Sequence, residues 1–290
     1  MGLADRLRPS ARRARGAALM GVLNVTPDSF SDGGRFARAD AAILRVDALA
    51  RDGADLIDIG GESTRPGAEP VSAKEQLERI LPAVRHALRE ARALVSIDTA
   101  DPEVADQTLA LGAHVINDVS CLANPELARA VARHDAWLVI MHSRGPMREM
   151  AGFSVYPDSG YTDVVEDVLR ELGAARERAL RAGVSSERIL IDPGLGFAKN
   201  AAQSLELLAR LHELTRVGCP IVVGPSRKSF IAAGEPAPPE ERLGGTIAAC
   251  LLSVERGAAV LRVHDVREVR QALAVARAIS PSRREEAAHA

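Results

Sequence analysis

Short apolar runs and amphipathic stretches alternate along nearly the whole chain. The apolar runs, rich in β-branched residues, cover 17–26, 54–60, 93–99, 114–120, 136–142, 188–194, 219–226 and 259–265. The amphipathic stretches lie near 38–52, 72–90, 101–111, 124–133, 162–182, 201–214, 241–255 and 266–279. Because the runs are apolar throughout, they indicate strands buried on both faces of a parallel sheet. Eight such units in succession predict an α/β fold, a single-domain (β/α)8 TIM barrel over residues 17–280, with a doubly wound open sheet as the alternative.

Helix starts and long connections agree with this division. Asp101 and Asn124 are each followed by proline, the pattern of an N-cap with proline at the first helical position. Three connections, 26–37, 60–71 and 143–161, are too long for simple turns. They follow the first, second and fifth strands, so they lie at the face on which barrel enzymes carry their active sites. We therefore predict long catalytic loops there, although no role can be assigned to 143–161.

Composition narrows the class of protein. Of the 290 residues 47% are hydrophobic, enough for a large core, and only 3% are aromatic, so aliphatic side chains must build it. The formal net charge of -2 argues against a nucleic-acid partner. No apolar run approaches the roughly eighteen residues of a membrane span, so we expect no membrane partner. The three cysteines lack the spacing of a metal site or a disulfide framework. We expect a cytoplasmic location.

The two ends of the chain lack the alternating pattern of strands and helices found between them. Residues 1–16 contain five arginines but no apolar segment of signal-peptide length. We predict a flexible basic arm there, with an organelle transit peptide as the alternative. Residues 281–290 are predicted to form a flexible tail.

Lysine is scarce, since 34 of the 37 basic residues are arginine. The three lysines are Lys74, Lys199 and Lys228. Arginine and lysine differ in shape and hydration, so a retained lysine indicates a position that arginine does not serve. Lys74 is interpreted as an exposed helix residue. Lys199 is interpreted as a loop cation, although the rarity of lysine in this sequence argues against an incidental position.

Polar residues follow every predicted strand. They include Asn24, Arg65, Asp98, Asn117, His142, Asp192, Lys228, Arg262 and His264. Because the carboxyl ends of barrel strands converge, these side chains are predicted to meet in one pocket. No Ser-His-Asp order, nucleophile elbow or Walker sequence is present, which excludes the covalent hydrolase and P-loop classes.

The pocket residues divide by chemistry. Asp98, Asn117, Asp192 and Lys228 combine acceptors, an amide and a cation, which suit a flat heterocycle with an amino-pyrimidinone edge. A second group, Asn24, Arg65, Arg262 and His264, suits a phosphate ester and its Mg²⁺, because arginine donates bidentately to phosphate and Mg²⁺ prefers oxygen ligands.

The sequence contains two long distinctive phrases, MGVLNVTPDSFSDGGRF and GGESTRPGAEPVS. Further along stand the shorter phrases SIDT, INDVS, VIMHSRG, IDPGLGFAK, PSRKSFI and RVHD. Together, and in this order, these phrases resemble the dihydropteroate synthase family of pterin-binding barrels, over about residues 18–280. This resemblance implies a transferase that condenses (7,8-dihydropterin-6-yl)methyl diphosphate with 4-aminobenzoate, giving 7,8-dihydropteroate and diphosphate, with Mg²⁺ and as a homodimer.

The resemblance also implies residue roles. The implied pterin contacts are Asp98, Asn117, Met141, Asp192, Phe197 and Lys228. The implied diphosphate contacts are Thr64, Arg65, Arg262 and His264. The implied aminobenzoate contacts are Phe30, Pro66, Phe197 and Ser229, and the implied Mg²⁺ ligand is Asn24. The implied catalytic residues are Asp28, Asp32, Lys228, Arg262 and His264. Pro225 departs from the family, which usually has a small residue there.

The reaction is expected to be a dissociative substitution. Diphosphate leaves first, and Asp32, brought in by loop closure, stabilises the cation on the pterin methylene before the arylamine attacks. Two alternatives stay open. One is a methyltetrahydrofolate-dependent methyltransferase barrel, and the other is a catalytically inert pterin-binding module.

Overall fold

The protein is described by a computed structural model in which eight parallel strands form a closed barrel, each strand pairing with the next and β8 with β1. The structure describes residues 2–7, 16–26, 35–63, 67, 69–145, 149–150, 152 and 154–279. The strands are Ala18–Asn24 (β1), Leu56–Gly60 (β2), Leu94–Asp98 (β3), Val115–Asp118 (β4), Trp137–Met141 (β5), Ile189–Asp192 (β6), Ile221–Val223 (β7) and Ala258–Val263 (β8). The predicted TIM barrel is confirmed, and the open-sheet alternative is wrong.

Helices cover the outside of the barrel between consecutive strands. The described α-helices are Leu3–Leu7 (α1), Arg35–Asp52 (α2), Ala73–Glu90 (α3), Pro102–Ala110 (α4), Pro125–Arg133 (α5), Val164–Arg181 (α6), Ala201–Ala209 (α7), Leu243–Glu255 (α8) and Val266–Ile279 (α9). The stretch predicted as one helix over 201–214 instead ends as an α-helix at Ala209 and continues as a 3-10 helix over Leu211–Val217. No helix of the described residues is long and apolar enough to cross a membrane.

The predicted helix starts are confirmed by their capping contacts. Asp101 accepts hydrogen bonds from the backbone N–H groups of Glu103 and Val104, and Asn124 accepts one from Glu126. In both helices proline occupies the first helical position, where a missing N–H costs nothing. These caps fix where α4 and α5 begin, which is shortly after the ends of β3 and β4 that carry polar residues.

The amino-terminal end of the barrel is closed by α1, which the sequence did not predict. Leu3 is only 3% exposed and packs with Met20, Leu56 and other side chains inside the barrel. Arg6 forms an ion pair with Asp55, and Asp55 also accepts a hydrogen bond from the backbone of Leu19. The prediction of a flexible arm over 1–16 is therefore wrong for Leu3–Leu7, because burial of an apolar side chain holds this segment. Residues 8–15 and 281–290 lie outside the described residues.

Replacing Leu3 with alanine should lower the free energy of unfolding by about 2 kcal/mol, because the barrel end loses a buried side chain and gains a cavity. Leu44 of α2, which is 68% exposed, offers the matched control. Leu44→Ala should change stability by less than about 0.5 kcal/mol. Urea denaturation of both variants measures the difference, and equal effects would mean that α1 contributes no packing energy.

Candidate active site

The carboxyl ends of the strands bring the predicted pterin residues to one level of the barrel. Asp98 ends β3 and lies in register with Asn117 of β4. Met141 ends β5 and lies in register with Asp192, the last residue of β6. All four are buried. The convergence expected from the strand pattern is therefore confirmed for these residues, and their polar atoms lie inside the barrel mouth, where water is largely excluded.

Asp58 of β2 is the polar centre of this region. Its carboxylate is fully buried and accepts hydrogen bonds from Ser96 Oγ at 2.6 Å, Asn117 Nδ2 at 3.0 Å and Arg262 Nε at 2.7 Å. Since the Asn117 amide nitrogen is engaged by Asp58, its carbonyl oxygen remains available as an acceptor. Asp58 was not among the predicted site residues, because it lies inside the apolar run LIDIG. A lone carboxylate in a strand predicted to be fully buried was the available signal.

Arg262 links Asp58 to Asp98. Its Nη2 donates to Asp98 Oδ2 at 2.6 Å, while no donor among the described residues reaches the buried Oδ1 of Asp98. Burial raises the pKa of Asp98 to about 7 against the opposing effect of Arg262. Burial alone would lower the pKa of Arg262, but the carboxylates of Asp58 and Asp98 raise it, so the guanidinium stays charged. The structure thus places Arg262 against the implied pterin residues as well as near the implied anion site.

A second cation, Lys228, lies near Arg262 at the barrel mouth. Its Nζ is 4.6 Å from the centroid of the Phe197 ring. Burial lowers the pKa of Lys228 to about 8, against the carboxylate of Asp192, and burial raises the pKa of Asp192 against Lys228. A Cβ added to Gly224 would lie 3.7 Å from Arg262 Cβ and 3.8 Å from Lys228 Nζ. The two cations therefore lie beside the same glycine, close to the buried carboxylates of Asp98 and Asp192.

His264 follows β8 and is held by Ser226. The Ser226 hydroxyl oxygen accepts from the His264 backbone N–H at 3.2 Å and lies 3.0 Å from His264 Nδ1. Because that oxygen already accepts one hydrogen bond, its own proton is free to point at Nδ1, which leaves Nε2–H as a donor. Burial, and then the charge of Arg262, lower the pKa of His264 to about 4. At neutral pH this side chain is a neutral donor, a suitable partner for a phosphate oxygen.

The other predicted residues are only partly placed. Asn24 ends β1 with its side chain exposed to the barrel mouth, and Ser229 Oγ lies 2.8 Å from Ser154 Oγ. The remaining implied contacts lie outside the described residues, namely Asp28, Phe30, Asp32, Thr64, Arg65 and Pro66. Pro225 begins the turn that presents Lys228, since its carbonyl accepts from the Lys228 backbone N–H at 3.3 Å.

A cluster around the buried Lys199 and His142 was not among the predicted site residues. Lys199 is 0% exposed and donates to His142 Nδ1 at 2.8 Å, so its interpretation as a loop cation is wrong. His142 Nε2 lies 2.9 Å from Glu171 Oε2 on α6. The rarity of lysine in this sequence was the signal that pointed to Lys199, and its burial depends on contacts that only the folded chain brings together.

The barrel and this set of strand-end groups define a pterin-binding enzyme. The profile of the family described as pterin binding enzyme matches residues 20–264, and the chain belongs to this family. A dihydropteroate synthase of Synechocystis sp. is 44% identical over 263 residues, which are 90% of this chain and 89% of that protein.

Solved structures agree with this comparison. The structure of dihydropteroate synthase from Clostridium difficile in the presence of pteroic acid has a TM-score of 0.84 and 40% identity, covering 91% of this chain and 97% of that one. The Xanthomonas albilineans dihydropteroate synthase with 4-aminobenzoic acid has a TM-score of 0.84 and 42% identity, covering 93% and 96%. The chain therefore shares the family's fold over nearly its full length.

Proposed function

We propose that this protein catalyses the dihydropteroate synthase reaction, in which (7,8-dihydropterin-6-yl)methyl diphosphate and 4-aminobenzoate give 7,8-dihydropteroate and diphosphate. The observation that carries this proposal is the group of buried hydrogen-bond acceptors at one level of the barrel mouth, above all Asp98 Oδ1. A pterin presents neighbouring N–H donors along its pyrimidinone edge, and a row of carboxylate and amide oxygens complements them. The relatives with pteroic acid and 4-aminobenzoic acid support the same assignment.

The other groups at the barrel mouth complete the proposed pterin site. Asp98, Asn117 and Asp192 would accept from the pterin edge, and the Lys228 ammonium would donate to its ring oxygen or nitrogen. Asp58 holds the Asn117 amide in the orientation that exposes its oxygen, and it holds Arg262 in place. Met141 and the Phe197 ring would line the faces of the heterocycle, where apolar contact adds affinity.

The diphosphate would be held at the ends of β1 and β8. Neutral His264 donates from Nε2, and the guanidinium of Arg262 retains a further N–H group beyond those that bond to carboxylates. We assign Thr64 and Arg65 to the same anion. Departure of diphosphate breaks the C–O bond and leaves a cation on the pterin methylene. The arylamine then forms the C–N bond and releases a proton. The role of Asp32 in stabilising that cation, with Asp28 in the closing loop, stays a prediction.

Mg²⁺ is proposed as the metal at this end of the site. Among the described residues no group of three or more His, Cys, Asp or Glu side chains is arranged to hold a metal. The exposed Asn24 amide oxygen fits an ion that keeps its waters and is bound chiefly through substrate phosphate oxygens. When bound, Mg²⁺ would offset the charge that develops on the leaving diphosphate. Homodimer assembly and a cytoplasmic location stay predictions.

Incubation of the purified protein with pterin diphosphate, 4-aminobenzoate and Mg²⁺ tests the function. Diphosphate release coupled to formation of dihydropteroate, measured by chromatography, is the expected result, and omission of 4-aminobenzoate should abolish the product. Pterin binding without either product would instead favour the inert module. Methyl transfer from methyltetrahydrofolate to a corrinoid protein would favour the methyltransferase.

A further inference from the structure

Lys199 has an unusual environment for a lysine. Its side chain is completely buried, and its Nζ donates to His142 Nδ1 at 2.8 Å, to the Phe197 carbonyl at 2.9 Å and to the Gly194 carbonyl at 3.2 Å. In the charged form all three ammonium protons thus have acceptors, and none of these acceptors is a carboxylate. Burial lowers the pKa of Lys199 to about 7, against the carboxylate of Asp192. Burying an ammonium without a directly bonded anion is costly, but an apolar side chain would leave the Gly194 and Phe197 carbonyls without a donor. The position therefore requires the donors themselves.

The backbone that Lys199 contacts is strained. Gly194, Gly196 and Ala198 have φ values of 66°, 79° and 46°, in the left-handed region. Ala198 carries a Cβ that disfavours this region, and a Cβ on Gly194 would lie 2.0 Å from the His142 carbonyl oxygen. Such conformations persist only where surrounding contacts hold them. Lys199 bonds the carbonyls of the first and fourth residues of the Gly194–Phe197 turn, so it closes the turn from inside.

Residues of the connection after β5 also form hydrogen bonds to this turn and to the residue that follows it. Tyr161 Oη donates to the Ala198 carbonyl at 2.9 Å, and the Ser154 backbone N–H donates to the Gly196 carbonyl at 3.2 Å. The Arg144 guanidinium lies 3.8 Å from the Tyr161 ring centroid. The described residues Ser154 and Tyr161 of the long connection over 143–161, whose role the sequence left unassigned, therefore contact the loop that follows β6.

His142 fixes the orientation of the lysine. Burial, and then the charge of Lys199, lower the pKa of His142 to about 4, so the imidazole is neutral and carries one proton. Glu171 accepts that proton's hydrogen bond from Nε2, which leaves Nδ1 as the acceptor for Lys199. Glu171 is itself held by Arg144. A continuous chain of hydrogen bonds thus runs from α6 to the carbonyl of Phe197.

We propose that Lys199 is a positioning residue that holds the Gly194–Phe197 turn and thereby sets the Phe197 ring beside Lys228 in the substrate pocket. This inference rests on the proposed function for its kinetic consequence, since Phe197 is assigned to both substrates. We place Lys199 outside the substrate contacts, because it is completely buried and its ammonium bonds to His142 and to the Gly194 and Phe197 carbonyls.

The kinetic test compares Lys199→Met, which keeps the length of the side chain but not its donors, with Lys74→Met on the exposed face of α3. Lys199→Met should raise the KM for 4-aminobenzoate about tenfold with a smaller loss in kcat, because a displaced ring weakens substrate placement. Lys74→Met should leave both constants unchanged. In a Phe197→Leu background, Lys199→Met should add less than about twofold, since residues acting through one contact are not additive. Multiplying effects would overturn the proposal.

A substrate-free measurement separates this inference from the proposed function. Protein labelled with 4-fluorophenylalanine contains five reporter rings, and Phe197→Leu identifies the Phe197 signal in ¹⁹F NMR. Lys199→Met should shift or broaden that signal, whereas Lys74→Met should leave it unaltered. If the wild-type protein makes no dihydropteroate but the signal moves, the proposed function fails and the positioning role stands. An unchanged signal with unchanged KM overturns the positioning role. If Lys199→Met fails to fold, Lys199→Gln, which keeps two N–H donors, replaces it in both measurements. The expected change in the Phe197 signal and in KM is then of the same kind but smaller.

Discussion

Replacing Asp98 with asparagine should weaken pterin binding about 100-fold, because truncating one partner of a buried charged hydrogen bond costs several kcal/mol. The carboxylate is 5% exposed, and its Oδ1 has no donor within the described part of the chain. An asparagine presents either an N–H group or a weaker acceptor to the N–H donors of the pterin edge. Arg262 keeps its bond to Asp58 in this variant, so the fold should persist.

Asp118, one strand along, offers the matched control for Asp98→Asn. It is equally buried, but its oxygens accept from Ser120 and Leu122 and so cap the turn after β4. Asp118→Asn should lower the melting temperature while changing pterin affinity by less than about threefold. Isothermal titration with a pterin and thermal unfolding measure the two quantities. Equal losses of affinity in both variants would show that Asp98 acts through the fold and not through the ligand.

Replacing Arg262 with methionine should lower the free energy of unfolding by about 3–5 kcal/mol at pH 8 and abolish turnover, because two buried carboxylates lose their shared cation. Arg262 is bonded to Asp58 at 2.7 Å and to Asp98 at 2.6 Å. Arg133→Met, which removes an exposed ion pair with Asp106, should cost less than about 1 kcal/mol. Denaturant titration of both variants gives the comparison.

The loss of stability in Arg262→Met should depend on pH in a defined direction. The pKa of Asp98 is raised to about 7 in the folded protein, above its ordinary value, so the folded state binds more protons than the unfolded state at intermediate pH. Stability contributed by this group therefore falls as pH rises towards 7. Without Arg262 the folded pKa rises further, so the variant should be least stable at pH 8 and recover towards pH 5. Asp58→Asn in the same variant should restore part of the stability. A pH-independent loss would contradict this account.

Local sequence signals were sufficient for the barrel and for the strand-end residues that the fold brings together. Alternation of apolar runs with amphipathic stretches reflects burial of strands beneath helices, and this requirement acts on each segment separately. Asp98, Asn117 and Asp192 were identifiable because they lie at strand ends, where a barrel places its active site whatever its exact geometry. Proline after Asp101 and Asn124 marked helix starts for a reason contained within one turn of helix.

Other features depend on residues that are distant in sequence. Asp58 is central because Ser96, Asn117 and Arg262 converge on it from three other strands, and only closure of the barrel brings them together. The α1 helix is too short to form by its own propensity, and it is held by Leu3 entering the end of that closed barrel.

The sequence by itself therefore determined the eight-unit architecture, the face that carries the site and the chemical types of residue that line it. The tertiary structure decided which charges share a partner, namely that Arg262 lies between two carboxylates and that Lys199 bonds the turn that carries Phe197. The reason is physical. Periodicity and capping are set by neighbours within a few residues, whereas desolvation and hydrogen bonding of a buried charge depend on every segment packed around it.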